Sequence, residues 1–411
     1  MTQHQVPREM LCFRRVECQL AMFCHHICQS ADKTKTIILN FLCVSGTPLD
    51  LLTAAVEIRG LQEENRMLRN RVEHLEAELK EQRKPAVTTT SHSTQTEETK
   101  SSMTDCVRNS KVKNLFYSYT GLTFIAFTCL LNFLVPNEKK TVSFPRKRKD
   151  IQKLLVHDQL LLVLMRLRGG FSVKDLAFRF RLSEQSVSEL FSSWTGYMFC
   201  QLGQLSWWPH RDTIINHMPD NFKKNFPRCL AIIDCTEIKT ETPSSLKVQS
   251  QCYSDYKSST TLKSLVAVDP MGALIFVSAL FSGSISDNEI CVQSGFYEYL
   301  SRKIAQGHLK AGDVIMADKG FTIDKELGEL GLGLNIPPFA SSAAQMSVSD
   351  VAYTNLIAAH RIHVERRIGR IKKFKLVGHK IPIKLFPIIN EIWFVCSFLT
   401  NFQDNILKKN I

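Results

Sequence analysis

Apolar residues recur at helical spacing through the middle of the chain. Between residues 157 and 199 they fall into three runs, HDQLLLVLMRLR, SVKDLAFRF and SEQSVSELFSSWTGYM. The pair Gly169-Gly170 is typical of a helix end, and Ser172 and Ser183 are N-cap residues for the second and third helices. Two helices joined by a tight turn predict a helix-turn-helix, and a plain three-helix bundle is the alternative.

After residue 228 the pattern changes to short apolar runs rich in β-branched residues. CLAIIDCTEIK, TTLKSLVAVDP, ALIFVSALFSG and DVIMADKGF predict four strands, and a turn at 270–272 predicts a hairpin between the second and third. DNEICVQSGFYEYL predicts one helix that begins at Asp287, and residues 352–373 predict another. This order predicts an α/β fold, a mixed sheet flanked by helices.

A heptad pattern occupies residues 51–84. Residues suited to heptad position a recur every seven residues, and Leu recurs every seven residues at position d. This pattern predicts a parallel coiled-coil dimer in which Asn65, at an a position, sets the register. A single amphipathic helix packed on its own domain is the alternative. The polar segment that follows predicts a disordered linker over residues 85–110. The a positions are Ile58, Asn65, Val72 and Leu79, and the d positions are Leu61, Leu68 and Leu75.

The N-terminal segment is rich in cysteine but lacks a complete metal site. The chain has 13 cysteines without paired spacing, and no cleavable signal peptide is evident, so we expect a reduced intracellular setting. Cys24, His25, His26 and Cys28 suggest zinc, but no second ligand pair follows at finger-like spacing. We interpret residues 1–50 as a divergent or truncated segment.

The uncharged stretch at residues 114–137 has the length of a membrane span. Polar residues such as Asn114 and Asn132 dilute it, so we expect two buried core helices, or one helix with an irregular start, and no membrane partner. A transmembrane helix is the minority alternative.

The charge of the chain favours a polyanionic partner. Lys and Arg exceed Asp and Glu by 52 to 39, a net charge of +13, which indicates nucleic acid most simply. The run PRKRK at 145–149 fits a nuclear import signal or a phosphate contact, and a solvated loop equally well. Eight Lys or Arg and a single acid, Glu365, lie between Arg361 and Lys380.

Two further acids occupy unusual positions in predicted strands. Asp234 lies inside an apolar strand, and Asp318 ends another just before Gly320. Buried acids are costly unless they are paired or bind a metal. Convergence of Asp234, Asp318 and Glu365 would suit Mg²⁺ or Mn²⁺ in a two-metal phosphoryl transfer. DNA would then contact the basic residues of the helix that carries Glu365, namely Arg361, Arg366, Arg367, Arg370, Lys372 and Lys373. It would also contact two polar residues at the start of the third predicted helix, Gln185 and Ser186.

Ordered motifs add a family resemblance. IIDCTEI, YSDYKSSTTLK, GSISDNEI, ADKGF, NIPPF and HVERRIGRIK resemble the DDE transposases of the PIF/Harbinger-like superfamily. They look most like the C-terminal part of animal members that carry a THAP zinc finger, although no such finger is recognisable at 1–50. The stretch from FYSYTGL to SVKDLAFRF is similar to the helix-turn-helix region that precedes that domain.

The resemblance implies a helical helix-turn-helix domain at 111–200 and an RNase H-like catalytic domain at 201–411. It implies Asp234 and Asp318 as the two aspartates and Glu365 as the glutamate, with Asp287 as a supporting acid and possible further metal ligand. We therefore expect a nuclear transposase or endonuclease that depends on divalent metal and forms a homo-oligomer through the coiled coil. A domesticated relative that binds DNA without cutting it is the alternative.

Overall fold

The computed structural model describes residues 102–136, 142–144, 148–255, 257–339 and 347–403. The predicted N-terminal segment at 1–50, the coiled coil at 51–84 and most of the linker at 85–110 lie outside these ranges, so they stay predictions. The linker prediction is wrong for its last residues, because Met103–Arg108 form a helix that the Ser102 hydroxyl caps.

The first part of the described chain is helical. Helices α2 and α3 cover most of the uncharged stretch, and Gly121, at φ +74°, separates them. Phe127 and Leu130 of α3 are buried, so the expectation of two core helices is confirmed. The bounds are α1 Met103–Arg108, α2 Leu115–Thr120, α3 Phe124–Leu134, α4 Lys149–Gln152, α5 Val156–Gly169, α6 Val173–Phe180 and α7 Glu184–Gly203.

The three helices predicted for residues 157–199 are confirmed, and their ends follow from local chemistry. Helix α5 ends at Gly170 in the left-handed region, at φ +68°. The Ser172 hydroxyl caps α6 by accepting from the Asp175 amide at 3.1 Å. The Ser183 hydroxyl caps α7 by accepting from the Ser186 amide at 3.0 Å. The predicted start signals therefore act as caps.

A seven-stranded mixed sheet forms the second part. Its order is β2-β3-β1-β6-β7, with β4 and β5 both paired to β3. Strands β1 and β3 are antiparallel, whereas β6 runs parallel to β1 and β7 parallel to β6. The strands are β1 Cys229–Lys239, β2 Tyr253–Ser254, β3 Ser259–Val268, β4 Leu274–Val277, β5 Phe281–Ser282, β6 Val314–Met316 and β7 Gly333–Asn335.

Two of the predicted elements are divided in the structure. The second arm of the hairpin is split into β4 and β5, because the Ser278 hydroxyl accepts from the Leu265 amide at 2.9 Å and interrupts the ladder. The helix expected from Asp287 onward is two helices, because Gly295 adopts φ +71° between them.

Helices cover both faces of the sheet. Alternate residues of β3 point to opposite faces: the Lys263 ammonium donates to the Ile285 carbonyl beside α11, and the Ser264 hydroxyl accepts from Trp393 of α16. The mixed sheet flanked by helices is therefore confirmed. These helices are α8 Arg211–His217, α9 Asp220–Asn225, α10 Leu246–Cys252, α11 Asp287–Gln293, α12 Phe296–Ala305, α13 Asp324–Glu329, α14 Val348–Lys372, α15 Lys375–Gly378 and α16 Ile389–Leu399.

One helical stretch within the described ranges, Ile383–Phe402, is long and apolar enough to cross a membrane by length and composition. Slightly more than half of it, 56%, is buried inside the fold, and Trp393 is fully buried against β3. It packs as a core helix.

Candidate active site

The register of the sheet brings Asp234 and Asp318 to one edge. Strands β1 and β6 are parallel neighbours, and Ile232 pairs with Met316. Each aspartate follows its paired residue by two positions, so the two lie side by side just beyond the pairing. Neighbouring strands are roughly 4.8 Å apart. The convergence expected from the strand positions is thus present for these two acids.

A buried arginine links the two aspartates. Arg361 of α14 places Nη1 2.9 Å from an Asp318 oxygen and Nη2 3.7 Å from an Asp234 oxygen. Its side chain is 10% exposed, against 23% for Asp234 and 52% for Asp318. The Asp318 carboxylate also accepts from the Lys319 amide at 2.8 Å. One guanidinium therefore neutralises both carboxylates.

The Asp234 carboxyl titrates well above the ordinary range. Burial raises its pKa to about 6, with smaller contributions in the same direction from Asp318 and Asp287, while Arg361 and the Cys235 amide oppose the shift. Three acids therefore share one electrostatic neighbourhood. Such a site favours a bound cation, because a cation removes their mutual repulsion.

Asp287 is the third acid of this neighbourhood. It begins α11, where the Ser286 hydroxyl caps the helix, and its carboxylate lies 2.6 Å from the Lys263 ammonium. Gly320 passes so close that a Cβ there would lie 3.3 Å from Asp287 Oδ2. Gly320, two residues after Asp318, thus lets the backbone approach Asp287.

Glu365 does not join these acids. It lies one helical turn after Arg361 on α14 and is exposed. In the part of the chain that the structure describes, no three His, Cys, Asp or Glu residues are arranged to hold a metal ion. Sequence reasoning assigned Arg361 to DNA and Glu365 to the acids, whereas the structure turns Arg361 toward the acids. We therefore revise the placement of Arg361.

The basic residues of α14 divide into buried and exposed ones. Arg366 and Lys373 are exposed, and Arg370 and Lys372 are half-buried. Burial and Lys257 lower the pKa of Lys372, while Glu237 and Asp234 oppose the shift, so this ammonium lies beside the acids.

Arg367 belongs to the interior. It is 4% exposed, and it donates at 2.7 Å to the Gly272 carbonyl and at 2.7 Å to the Thr400 carbonyl. Its guanidinium stabilises the fold through these two hydrogen bonds, so we remove Arg367 from the residues expected to contact DNA.

The two polar residues predicted to contact DNA at the start of α7 also differ in burial. Gln185 is exposed, whereas Ser186 is fully buried and its hydroxyl donates to Asp150 at 2.5 Å. Burial of Ser186 removes it from the surface on which the helix-turn-helix hypothesis placed it. The neighbouring basic run is also partly engaged, because Arg148 pairs with Glu189 at 2.6 Å.

Comparison with known proteins assigns both parts of the described chain. Residues 233–401 match the family model of the DDE superfamily endonuclease, and residues 152–204 match the helix-turn-helix of DDE superfamily endonuclease. The first match spans the edge that carries Asp234 and Asp318, together with α14. The described chain therefore contains a region similar to a DDE superfamily endonuclease, preceded by a region similar to the helix-turn-helix of such enzymes.

The solved structures that are similar to the chain include the crystal structure of a pre-cleavage Mos1 transpososome. It is 14% identical and covers 64% of this chain and 78% of that chain, with a TM-score of 0.20. None of the curated proteins matches the chain.

Proposed function

We propose that this chain is a DDE-type transposase or endonuclease that cuts DNA phosphodiester bonds with the help of divalent cations. The observation that carries the proposal is the sharing of one buried guanidinium by Asp234 and Asp318 at the edge of the sheet. An antiparallel meander joined to two parallel strands supports an RNase H-like fold for the catalytic domain, and the PIF/Harbinger-like motifs support the finer family.

The chemistry of the site suits Mg²⁺ or Mn²⁺. Its donors are carboxylate oxygens, which are the hard ligands that these ions prefer. Asp234 and Asp318 would hold the ion, with Asp287 as a further ligand, and the ion pairs of both aspartates with Arg361 support a positive charge at this place. Divalent cations bound here would neutralise charge on the reacting phosphate and acidify a water nucleophile.

The basic residues around the acids would hold the DNA backbone. Lys372 is half-buried, and Glu237 and Asp234 oppose the lowering of its pKa by burial and Lys257, while Arg366 and Lys373 are exposed. Phosphate contacts of this kind position DNA without reading its sequence. Gln185, exposed at the start of α7, is the remaining candidate for base contacts in the helix-turn-helix.

If Asp234 and Asp318 held a metal, its charge would compete with the Arg361 guanidinium for their oxygens and would free donors of that guanidinium. The freed guanidinium can then face a phosphate oxygen, for which its planar fork of donors is well suited. The net charge of +13 and the basic run at 145–149 support a nuclear location for this activity.

A relative that binds DNA without cutting it is the second candidate. The position of Glu365 favours it, because this exposed side chain leaves the acid group of the DDE motif incomplete in the described structure.

Substitution of the acids separates the two candidates. We expect Asp234→Asn and Asp318→Asn to reduce Mn²⁺-dependent cleavage of labelled DNA by more than about 100-fold, since even outer partners of metal ligands cost 10–100-fold. Binding of DNA should survive, because Lys and Arg supply the grip. Glu365→Gln tests whether that acid moves into the site. Asp324→Asn, which changes an exposed acid at the start of α13, is the matched control.

The outcomes are distinct. A wild-type chain that cuts with neither Mg²⁺ nor Mn²⁺ would favour the non-cutting relative. Cleavage that persists in both aspartate variants would place the active site elsewhere.

A further inference from the structure

A polar cleft of about 400 Å³ opens where β1 ends. It is lined by Lys239 and Thr240 at the end of that strand, by Tyr253 and Ser259 of β2 and β3, and by Lys380 after α15. Polar side chains dominate this lining, and none of the lining residues is an acid. The cleft is therefore suited to an anion.

The two lysines are held together by the backbone. The Ile381 amide donates to the Lys239 carbonyl at 2.9 Å, so Lys380 lies next to Lys239. Both are exposed, and neither takes part in a salt bridge within the described residues. The acid that follows them, Glu241, accepts from the Ile383 amide at 3.0 Å. Two like charges are thus kept adjacent without a carboxylate between them.

Thr240 adds a buried hydroxyl without a partner. The residue is 2% exposed, and its Oγ1 is buried and makes no hydrogen bond to any residue that the structure describes. Its amide is occupied, since it donates to the Thr260 carbonyl at 3.0 Å. A buried hydroxyl without a partner is costly. Because Thr240 lines the cleft, a rotation of its side chain that turned the hydroxyl toward a ligand oxygen there would remove that cost.

We propose that this cleft binds a backbone phosphate of the DNA, on the flank of the phosphodiester that is cut. The inference rests on the proposed function. Lys239 follows Asp234 by five residues on the same strand, which corresponds to roughly 17 Å. Two ammonium groups and one hydroxyl supply the donors that its oxygens require.

The test is a salt titration of DNA binding by the full chain, with a chelator present so that no cleavage occurs. The logarithm of the affinity falls against the logarithm of salt concentration with a slope of about −0.9 for each phosphate neutralised. We expect the double variant Lys239→Gln/Lys380→Gln to reduce the size of this slope by about 0.9 to 1.8, according to whether the lysines share one phosphate or contact two. The matched control is Lys224→Gln/Lys310→Gln, which neutralises two exposed lysines before β1 and β6, at the opposite edge of the sheet. It should leave the slope unchanged.

Thr240→Val provides a second measurement. It replaces an unpartnered hydroxyl by a methyl group of the same size, so the free protein should unfold at an equal or higher temperature. DNA affinity should nevertheless fall by about three- to tenfold, without a change in the salt slope, because no charge is lost.

The outcomes distinguish this inference from the function on which it rests. A wild-type chain that binds DNA with a steep salt slope, while both sets of cleft variants bind equally well, overturns the cleft alone. A wild-type chain without salt-dependent DNA binding overturns the proposed function as well. An inorganic phosphate titration should displace little DNA from the wild type. Displacement at low phosphate concentration would indicate a site for free phosphate instead and overturn the assignment to DNA.

Discussion

The adjacent residues Arg366 and Arg367 allow a direct test of which arginines serve the fold and which face DNA. Arg367 is buried and donates to the Gly272 and Thr400 carbonyls. Arg367→Met keeps much of the apolar volume but removes two charge-assisted hydrogen bonds, worth about 1.5–3 kcal/mol each. Some of this loss is offset by the lower desolvation cost of Met, so we expect a decrease of about 3–5 kcal/mol in the free energy of unfolding.

The pH dependence of this loss adds a signature. Burial raises the pKa of the nearby Asp269 carboxyl to about 6, and Arg367 opposes that shift. Without the guanidinium, the pKa of Asp269 in the folded state should rise further above its unfolded value. A protein whose folded state contains an acid with a raised pKa loses stability as pH rises from the unfolded-state pKa through the folded-state pKa of that acid. Arg367→Met should therefore cost more stability at pH 8 than at pH 5.

Urea unfolding at the two pH values measures the loss, and Arg366→Met is the control. Since Arg366 is exposed, its replacement should change the free energy of unfolding by less than about 0.5 kcal/mol while reducing the salt slope of DNA binding by about 0.9. Folded Arg367→Met should bind DNA with the wild-type slope. A stable Arg367→Met variant with a reduced slope would refute this division of roles.

Three other predictions concern separate parts of the chain. Because the pKa of Asp234 is raised to about 6, Mn²⁺ affinity measured by calorimetry should fall as pH drops through that value, and a flat profile would contradict the assignment of Asp234 as a ligand. Ser183→Ala removes the cap of α7 and should cost about 1 kcal/mol in thermal unfolding, whereas Ser188→Ala on the exposed face should cost less than about 0.5 kcal/mol. Deletion of residues 51–84 should lower the mass in light scattering if the heptads form a dimer, and a full-length chain that is already monomeric would rule that out.

Local sequence signals predicted the main helices and strands and two of the acids of the candidate site. Apolar runs located α5, α6 and α7, with a glycine pair at the end of α5 and capping serines at the starts of α6 and α7, because helix ends depend on the residues at those ends. The apolar run of β1 matched the observed strand at Cys229–Lys239. An acid inside one predicted strand and an acid at the end of another pointed to Asp234 and Asp318, because an acid in an apolar strand requires a special partner.

The tertiary structure decided which side chains of α14 reach those acids. Arg361 and Glu365 are four residues apart, so both lie near the same side of the helix, and the sequence cannot tell which of them approaches the sheet. The packing of α14 on β1 and β3 buries Arg361 and leaves Glu365 exposed. Arg366 and Arg367 are about 100° apart around the helix, and the same packing buries only the second. Rotation of a helix about its axis depends on all its contacts with the sheet, and these contacts exist only in the folded chain.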